Sequence, residues 1–196
     1  MSWEHKRARA LEAVQLLGHL LRDAEVDERR LTLGYLDAKR ELAAAFETLA
    51  KETYADDREI SRVKHEIEVQ MRRSYPAIPL KYLQVKRFYA VHALILNYLS
   101  ARLNEEIAAD ELRLLSGDAV HTERRARELR DLGLNVVTRE SGGVATYRLT
   151  TLSANLQEAA EGLTLKNINA DARLPRCERE AFVAHVLSGR GGGGVA

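Results

Sequence analysis

Four arginines crowd one short stretch of this chain. Arg124, Arg125, Arg127 and Arg130 fall between Thr122 and Leu132, and Gly133 follows at once. A short apolar run, Ser141-Gly142-Gly143 and a second run ending Tyr147-Arg148-Leu149 come next. Guanidinium groups fork onto phosphate oxygens and onto the N7 and O6 edge of guanine, so the chemistry on offer is recognition of anions and bases. From Val120 to Leu132 the spacing predicts a helix with Ala126, Leu129 and Leu132 on its packed side. That leaves His121, Thr122, Arg124, Arg125 and Glu128 exposed, with Arg127 and Arg130 flanking them. Thr122 stands near the helix start, where side chains reach bases or phosphates. Thr138, Arg139, Ser141 and the Gly142-Gly143 pair belong to a hairpin whose tip lets backbone amides and one guanidinium approach a sugar-phosphate chain. A helix rich in Arg and Glu is usually a solvated face, and Arg127 with Asp131 suits an ordinary i, i+4 pair. The succession of helix, short helix, turn, basic helix and glycine-tipped hairpin moves the reading toward nucleic acid.

Other candidate chemistry fails on its own terms. His65-Glu66 begins a zinc-protease pattern, but Val69 stands where the second histidine belongs. The C-terminal glycines have no Gly-Lys-Ser/Thr and no preceding strand, so they make no phosphate loop. His92, on the inner side of its helix, reads as a core histidine. Cys177 lies between Arg176 and Arg179 with no identifiable histidine partner, so an ordinary thiol is expected. Lys81, Lys86 and Arg87 either touch phosphates at the margin of the site or keep that end of the chain soluble. Trp3 anchors the N-terminal helices or a partner surface.

The elements that must position these residues are mostly helical. Of 196 residues, 45% are apolar, 30% are charged and three are prolines, which favours a globular, helix-rich protein. The net charge of +1 means that any nucleic-acid binder must gather its cations on one face. A single cysteine excludes a disulfide framework or a structural zinc clip. No signal-peptide pattern opens the chain, and no stretch nears the roughly 20 apolar residues of a membrane span, so a cytoplasmic protein without membrane contact is expected.

Leu11, Val14, Leu17 and Leu21 form one helical stripe; Tyr35, Ala38, Leu42, Ala45, Phe46 and Leu49 form a second. Asp56 or Asp57 caps a third helix, with Ile60, Val63, Ile67 and Met71 inward. Periodicity leaves open whether these three stripes close within the chain or against a second copy. Pro76 and Pro79 mark a break. Beyond them the pattern predicts a long helix over Tyr82–Leu103, with Tyr89 and His92 inward, and a short one over Ile107–Leu115. A tight turn at Ser116-Gly117-Asp118 leads into the basic helix. Gly133 caps that helix, and strands at Leu134–Thr138 and Val144–Leu149 follow. Leu152–Gly162 and Glu178–Leu187 suggest further helices, with linker over Asn167–Pro175.

These elements point to a mainly α fold: an N-terminal helical bundle or hairpin over 1–75, then a winged helix-turn-helix with a small β-hairpin over 80–152. A C-terminal helical extension over 153–188 and a flexible glycine-rich tail over 189–196 complete it. Residues 84–152 resemble the helix-turn-helix module that accompanies HNH-type restriction endonucleases. The resemblance is carried by Arg124-Arg125-Ala126-Arg127-Glu128-Leu129-Arg130, Gly133, Val136-Val137, Gly142-Gly143 and Tyr147-Arg148-Leu149. It implies a module that contacts DNA ahead of a C-terminal nuclease. The chain departs from that family where catalysis would lie, because Cys177 and His185 cannot supply an HNH site with its metal histidine, base histidine and cysteine clip. The expected function is therefore binding of double-stranded DNA without turnover, by a homodimer and without a cofactor or metal. The setting would be transcriptional regulation or DNA recognition in a bacterial or phage defence system. The alternatives are the DNA-targeting part of a truncated or split HNH endonuclease, and an adaptor that uses the same fold on a protein partner.

Overall fold

The computed structural model describes residues 2–116 and 122–188. Among these residues it is mainly α, with eight α-helices and one small antiparallel sheet. The sharp turn expected at Gly117-Asp118, the helix start at Val120, His121, and the tail over 189–196 lie outside the described residues.

Helices α1 (Trp3–Leu20) and α2 (Glu28–Tyr54) form an antiparallel hairpin. Asp27 caps α2, its side chain accepting from Arg30 N at 2.9 Å. Small residues make the seam: Ala10, Ala13, Ala38 and Ala45 are buried, with Leu20 at the closed end. Trp3 meets Phe46 at a ring separation of 6.2 Å, and Arg9 pairs with Glu41. Of the two apolar stripes legible in the sequence, Ala38 and Ala45 enter the seam, but most of the large side chains do not. Leu11, Val14 and Leu21, and on α2 Tyr35, Leu42 and Phe46, remain exposed. They sit one position C-terminal to seam positions. In an antiparallel pair a rotation of one residue turns both helices toward the same side, so the six side chains share one face.

The main core begins at Ala50 and runs through to Val186. Helix α3 (Arg58–Ser74) buries Ile60, Val63, Ile67 and Met71, each at 3% exposure or less. Asp56, rather than Asp57, supplies its N-terminal side-chain contact, accepting from Arg58 N at 3.0 Å. The long helix expected from Tyr82 begins only at Ala90, as α4 (Ala90–Ser100). Before it, a single 3-10 turn over Leu80–Tyr82 gives way to a non-helical segment. Glu68 accepts from Val85 N, and the Asn167 amide donates to the carbonyls of Tyr82 and Gln84, all at 2.9 Å. Arg87 and Phe88 then take φ of 72° and 63°, which no right-handed helix allows. Tyr89, expected inward, is 72% exposed.

Ile107–Ala108 forms a short strand, β1, where a helix start is expected, and α5 (Ala109–Leu115) follows it. The correction is tertiary: Ile107 pairs with Tyr147 and Ala108 with Thr146 of β3 (Val144–Leu149). Helix α6 (Thr122–Glu128) tightens into a 3-10 turn over Leu129–Leu132, and Gly133 ends it at φ 73°. A Cβ at Gly133 would lie 2.5 Å from Asn155 O, so the left-handed cap is also a close approach. Strand β2 (Val136–Ser141) pairs with β3 in register from Val136–Leu149 to Ser141–Val144, giving the sheet order β1-β3-β2.

Helix α7 (Leu156–Ala170) runs through residues expected to be linker, because Leu163, Thr164 and Ile168 continue its buried side against the core. Asn155 caps it, accepting from Glu158 N at 3.2 Å. Helix α8 (Arg176–Ser188) closes the described chain. None of the described helices is long and apolar enough to cross a membrane.

Candidate nucleic-acid interface

Helices α5 and α6 are tied together by Arg113. Its Nη1 reaches Asp110 at 2.9 Å within α5, and its Nε donates to Glu123 of α6 at 2.6 Å. The backbone N–H of Glu123 at the helix start, then Arg113 and Arg127, hold its carboxyl below the usual range against the opposing effect of burial. Ala126, Leu129 and Leu132 are fully buried, as their spacing requires, so the opposite side of α6 must face outward.

That outward side carries the arginines, in unequal states. The Arg124 Nε donates to Glu128 Oε1 at 2.9 Å, and Arg125 Nη1 donates to Glu128 Oε2 at 3.0 Å. Their side chains are 65% and 44% exposed. Arg127 is exposed and forms no ion pair with Asp131, whose carboxylate is 2.7 Å from Lys166 instead. Arg130 is committed to the hairpin: Nε donates to Val136 O at 2.6 Å and Nη2 to Thr138 Oγ1. It braces the end of α6 on β2.

Glu128 is the hub that sequence reasoning missed. Besides the two arginines it meets His92, whose Nε2 lies 3.0 Å from Oε2 across 36 positions of chain. Burial alone would push this carboxyl up, but the hydrogen bonds from His92, Arg125 and Arg124 outweigh it and hold it down at about 2. The spacings 124/128 and 125/128 were legible as possible pairs. The third contact needed α4 to lie alongside. His92 is a core histidine at 2% exposure, as expected, yet its Nδ1 has no partner.

In the hairpin, Arg139 Nη1 donates to Glu106 Oε1 at 3.2 Å and stays 57% exposed. Ser141 ends β2 opposite Val144. Gly142 and Gly143 form the exposed tip with φ of 59° and 79°, a two-residue turn that only glycine-like conformations permit. Thr122 opens α6 at the N-terminal edge of the same surface. The structure thus gathers Thr122, Arg124, Arg125 and Arg127 on one helix, and places Arg139, Ser141, Gly142 and Gly143 on the neighbouring hairpin. Cys177 is an exposed free thiol at the start of α8, away from this surface. Among the described residues no group of three or more His, Cys, Asp or Glu side chains lies together in a way that could hold a metal ion.

Residues 92–150 match the KpnI N-terminal domain. The matched stretch runs from the first turns of α4 to just past β3 and contains the whole arginine-bearing surface. The match is consistent with a restriction-enzyme-related module. No curated protein and no solved structure matches the chain.

Proposed function

We propose that Ala90–Leu149 is a winged helix-turn-helix that binds double-stranded DNA, with α6 entering a groove and the β2–β3 turn lying on the backbone. One observation carries this reading: Arg124, Arg125 and Arg127 are exposed on a single short helix that Arg130 clamps to a glycine-tipped hairpin. The order helix, strand, helix, helix, hairpin, with the short first strand laid on β3, supports the same assignment. Thr122, Arg124 and Arg125 are the groove-facing candidates, together with His121, which precedes them in the sequence. Arg127, Arg139 and the Gly142-Gly143 tip serve phosphates. Arg130 is assigned to bracing, because its Nε and Nη2 already have acceptors within the fold.

Binding proceeds without turnover, as the recognition part of a restriction-type or regulatory system. The match to the KpnI N-terminal domain favours a second, narrower reading, in which this chain reads DNA for an endonuclease whose catalytic groups lie elsewhere. The exposed face of the α1–α2 hairpin supports a homodimer, because six large apolar side chains on one side of two helices stay 37–65% exposed among the described residues. A twofold dimer would read paired half-sites.

The test is duplex binding by fluorescence anisotropy across a salt series. Log affinity should fall linearly with log salt, by roughly 0.9 per phosphate contact. Arg124→Ala/Arg125→Ala should lose affinity and flatten the slope. A wild-type chain that ignores every duplex at low salt would return these arginines to the solvated surface.

A further inference from the structure

A cleft of about 360 Å³ opens between the Lys81–Phe88 segment, the C-terminal end of α6 and helix α7. Its volume falls within the range typical of small-molecule sites. Its apolar lining comes from buried Phe88 and Leu163 and from exposed Ala170. Its walls carry the cations Lys81, Lys86, Arg87 and Lys166 and the carboxylates of Glu128, Asp131 and Asp171.

The carboxylates are already answered. Asp171 accepts from Lys81 at 2.9 Å and from the Tyr82 hydroxyl at 2.8 Å. Asp131 accepts from Lys166 at 2.7 Å, and Glu128 holds Arg124 and Arg125. What remains is Lys86 and Arg87: among the described residues neither has an acidic or hydrogen-bonding partner. They are adjacent and exposed, on a segment pinned from behind by Asn167 and Glu68. Arg87 and Phe88 are successive non-glycine residues with positive φ, a conformation that persists only where the surroundings over-determine it and that concentrates at ligand sites. His92, in the same wall, keeps a buried Nδ1 without a partner, which is uncommon in a finished core.

We propose that this cleft binds a small phosphate-bearing ligand of about mononucleotide size. Two adjacent unpaired cations, one of them a guanidinium, suit a phosphate dianion. The apolar lining takes the remainder of the ligand, which inorganic phosphate alone would leave uncovered. The ligand also lies against Glu128, and so against the residue that holds Arg124 and Arg125. This assignment does not depend on whether the chain reads DNA.

The experiment is isothermal titration of the full chain at low ionic strength with AMP and, separately, inorganic phosphate. Two variants are compared with wild type. Lys86→Gln/Arg87→Gln removes the cations, and Ala170→Trp blocks the cleft from an exposed position while leaving every charge in place. AMP should bind saturably and more tightly than phosphate, and each variant should weaken it by at least about tenfold, the worth of one charge-assisted hydrogen bond. Failure of AMP to bind at millimolar concentration, or equal binding to all three proteins, overturns the proposal. A third titration uses a short DNA duplex, whose backbone offers the same phosphate chemistry. If the Gln variant loses duplex binding while AMP does not bind wild type, Lys86 and Arg87 serve a DNA backbone and the small-ligand site is refuted.

Discussion

Replacing Glu128 by Gln separates the structural and the binding roles of one carboxylate, because the two should move in opposite directions. In the wild type it takes Arg124 at 2.9 Å, Arg125 at 3.0 Å and His92 at 3.0 Å. The arginine pairs are partly exposed, at i, i+4 and i, i+3 spacing, and are worth about 0.2–0.5 kcal/mol each. The His92 contact is nearly buried and involves a charged acceptor, but glutamine keeps an acceptor oxygen, so roughly 0.5–1 kcal/mol is lost there. The expected destabilisation near neutral pH is about 1–2 kcal/mol, or roughly 2–8 °C in Tm for a chain of this length. The carboxyl is held at about 2 against an ordinary 4.5. Its stabilising effect is therefore complete above the unfolded value and disappears as pH falls through the interval from 4.5 to about 2. Thermal melts at pH 7 and pH 3 should show the gap between wild type and Glu128→Gln closing at the lower pH. Duplex affinity should rise several-fold in the same variant, since phosphate no longer competes with a carboxylate for Arg124 and Arg125. A variant that is less stable and also binds DNA more weakly would refute the reasoning and leave Glu128 as a purely structural group.

Further outcomes follow from the same geometry. Arg130→Ala should cost about 1–2 kcal/mol in chemical denaturation by freeing Val136 O and Thr138, yet leave the salt slope of DNA binding unchanged; a flattened slope would return Arg130 to the phosphates. Gly133→Ala should destabilise by more than the roughly 1 kcal/mol of a left-handed alanine alone, because its Cβ would press on the Asn155 backbone, whereas Gly142→Ala at the open tip should cost only about that conformational term. Equal losses at the two sites would remove the packing argument.

What the sequence disclosed depended on how far away the deciding contact lay. Helix α3 was legible in full, since Ile60, Val63, Ile67 and Met71 repeat at helical spacing and every one is buried. The same holds for Ala126, Leu129 and Leu132, and with them for the outward direction of Arg124 and Arg125. The start of α4 was not legible. Tyr82–Phe88 has ordinary helical propensity, and Glu68 and Asn167, from two other helices, hold it out of the helix. Ile107–Ala108 became a strand only because Tyr147 and Thr146 lie beside it. Asn167–Ala170 looked like linker by composition, yet Ile168 is fully buried and carries α7 onward. In the candidate site, spacing revealed the arginines, but the Glu128 hub required the fold to bring His92 to it.

The α1–α2 hairpin poses the one question that periodicity left open, and its seam shows how to answer it. Alanines at 10, 13, 38 and 45 let the two helices approach closely, so the hairpin closes mainly on small residues, with Leu20 at its closed end and one Trp3–Phe46 ring contact. The exposed residues Leu11, Val14, Leu21, Tyr35, Leu42 and Phe46 can therefore be changed without dismantling the hairpin. Leu42 and Phe46 are 37% and 42% exposed, so each still has part of its surface to bury. Full burial of such a side chain is worth about 1.5–3 kcal/mol, so the exposed fraction accounts for roughly 1 kcal/mol. In a twofold dimer every substitution counts twice. Leu42→Glu/Phe46→Glu should then weaken association by about 4 kcal/mol before any charge repulsion is added, which is roughly a thousandfold. Sedimentation equilibrium should show wild-type dimers and variant monomers with unchanged helical circular dichroism. Binding to a single half-site should persist while the preference for paired half-sites disappears. A wild type that sediments as a monomer at high micromolar concentration would mean that the face receives a different protein, and the half-site spacing argument would fall with it.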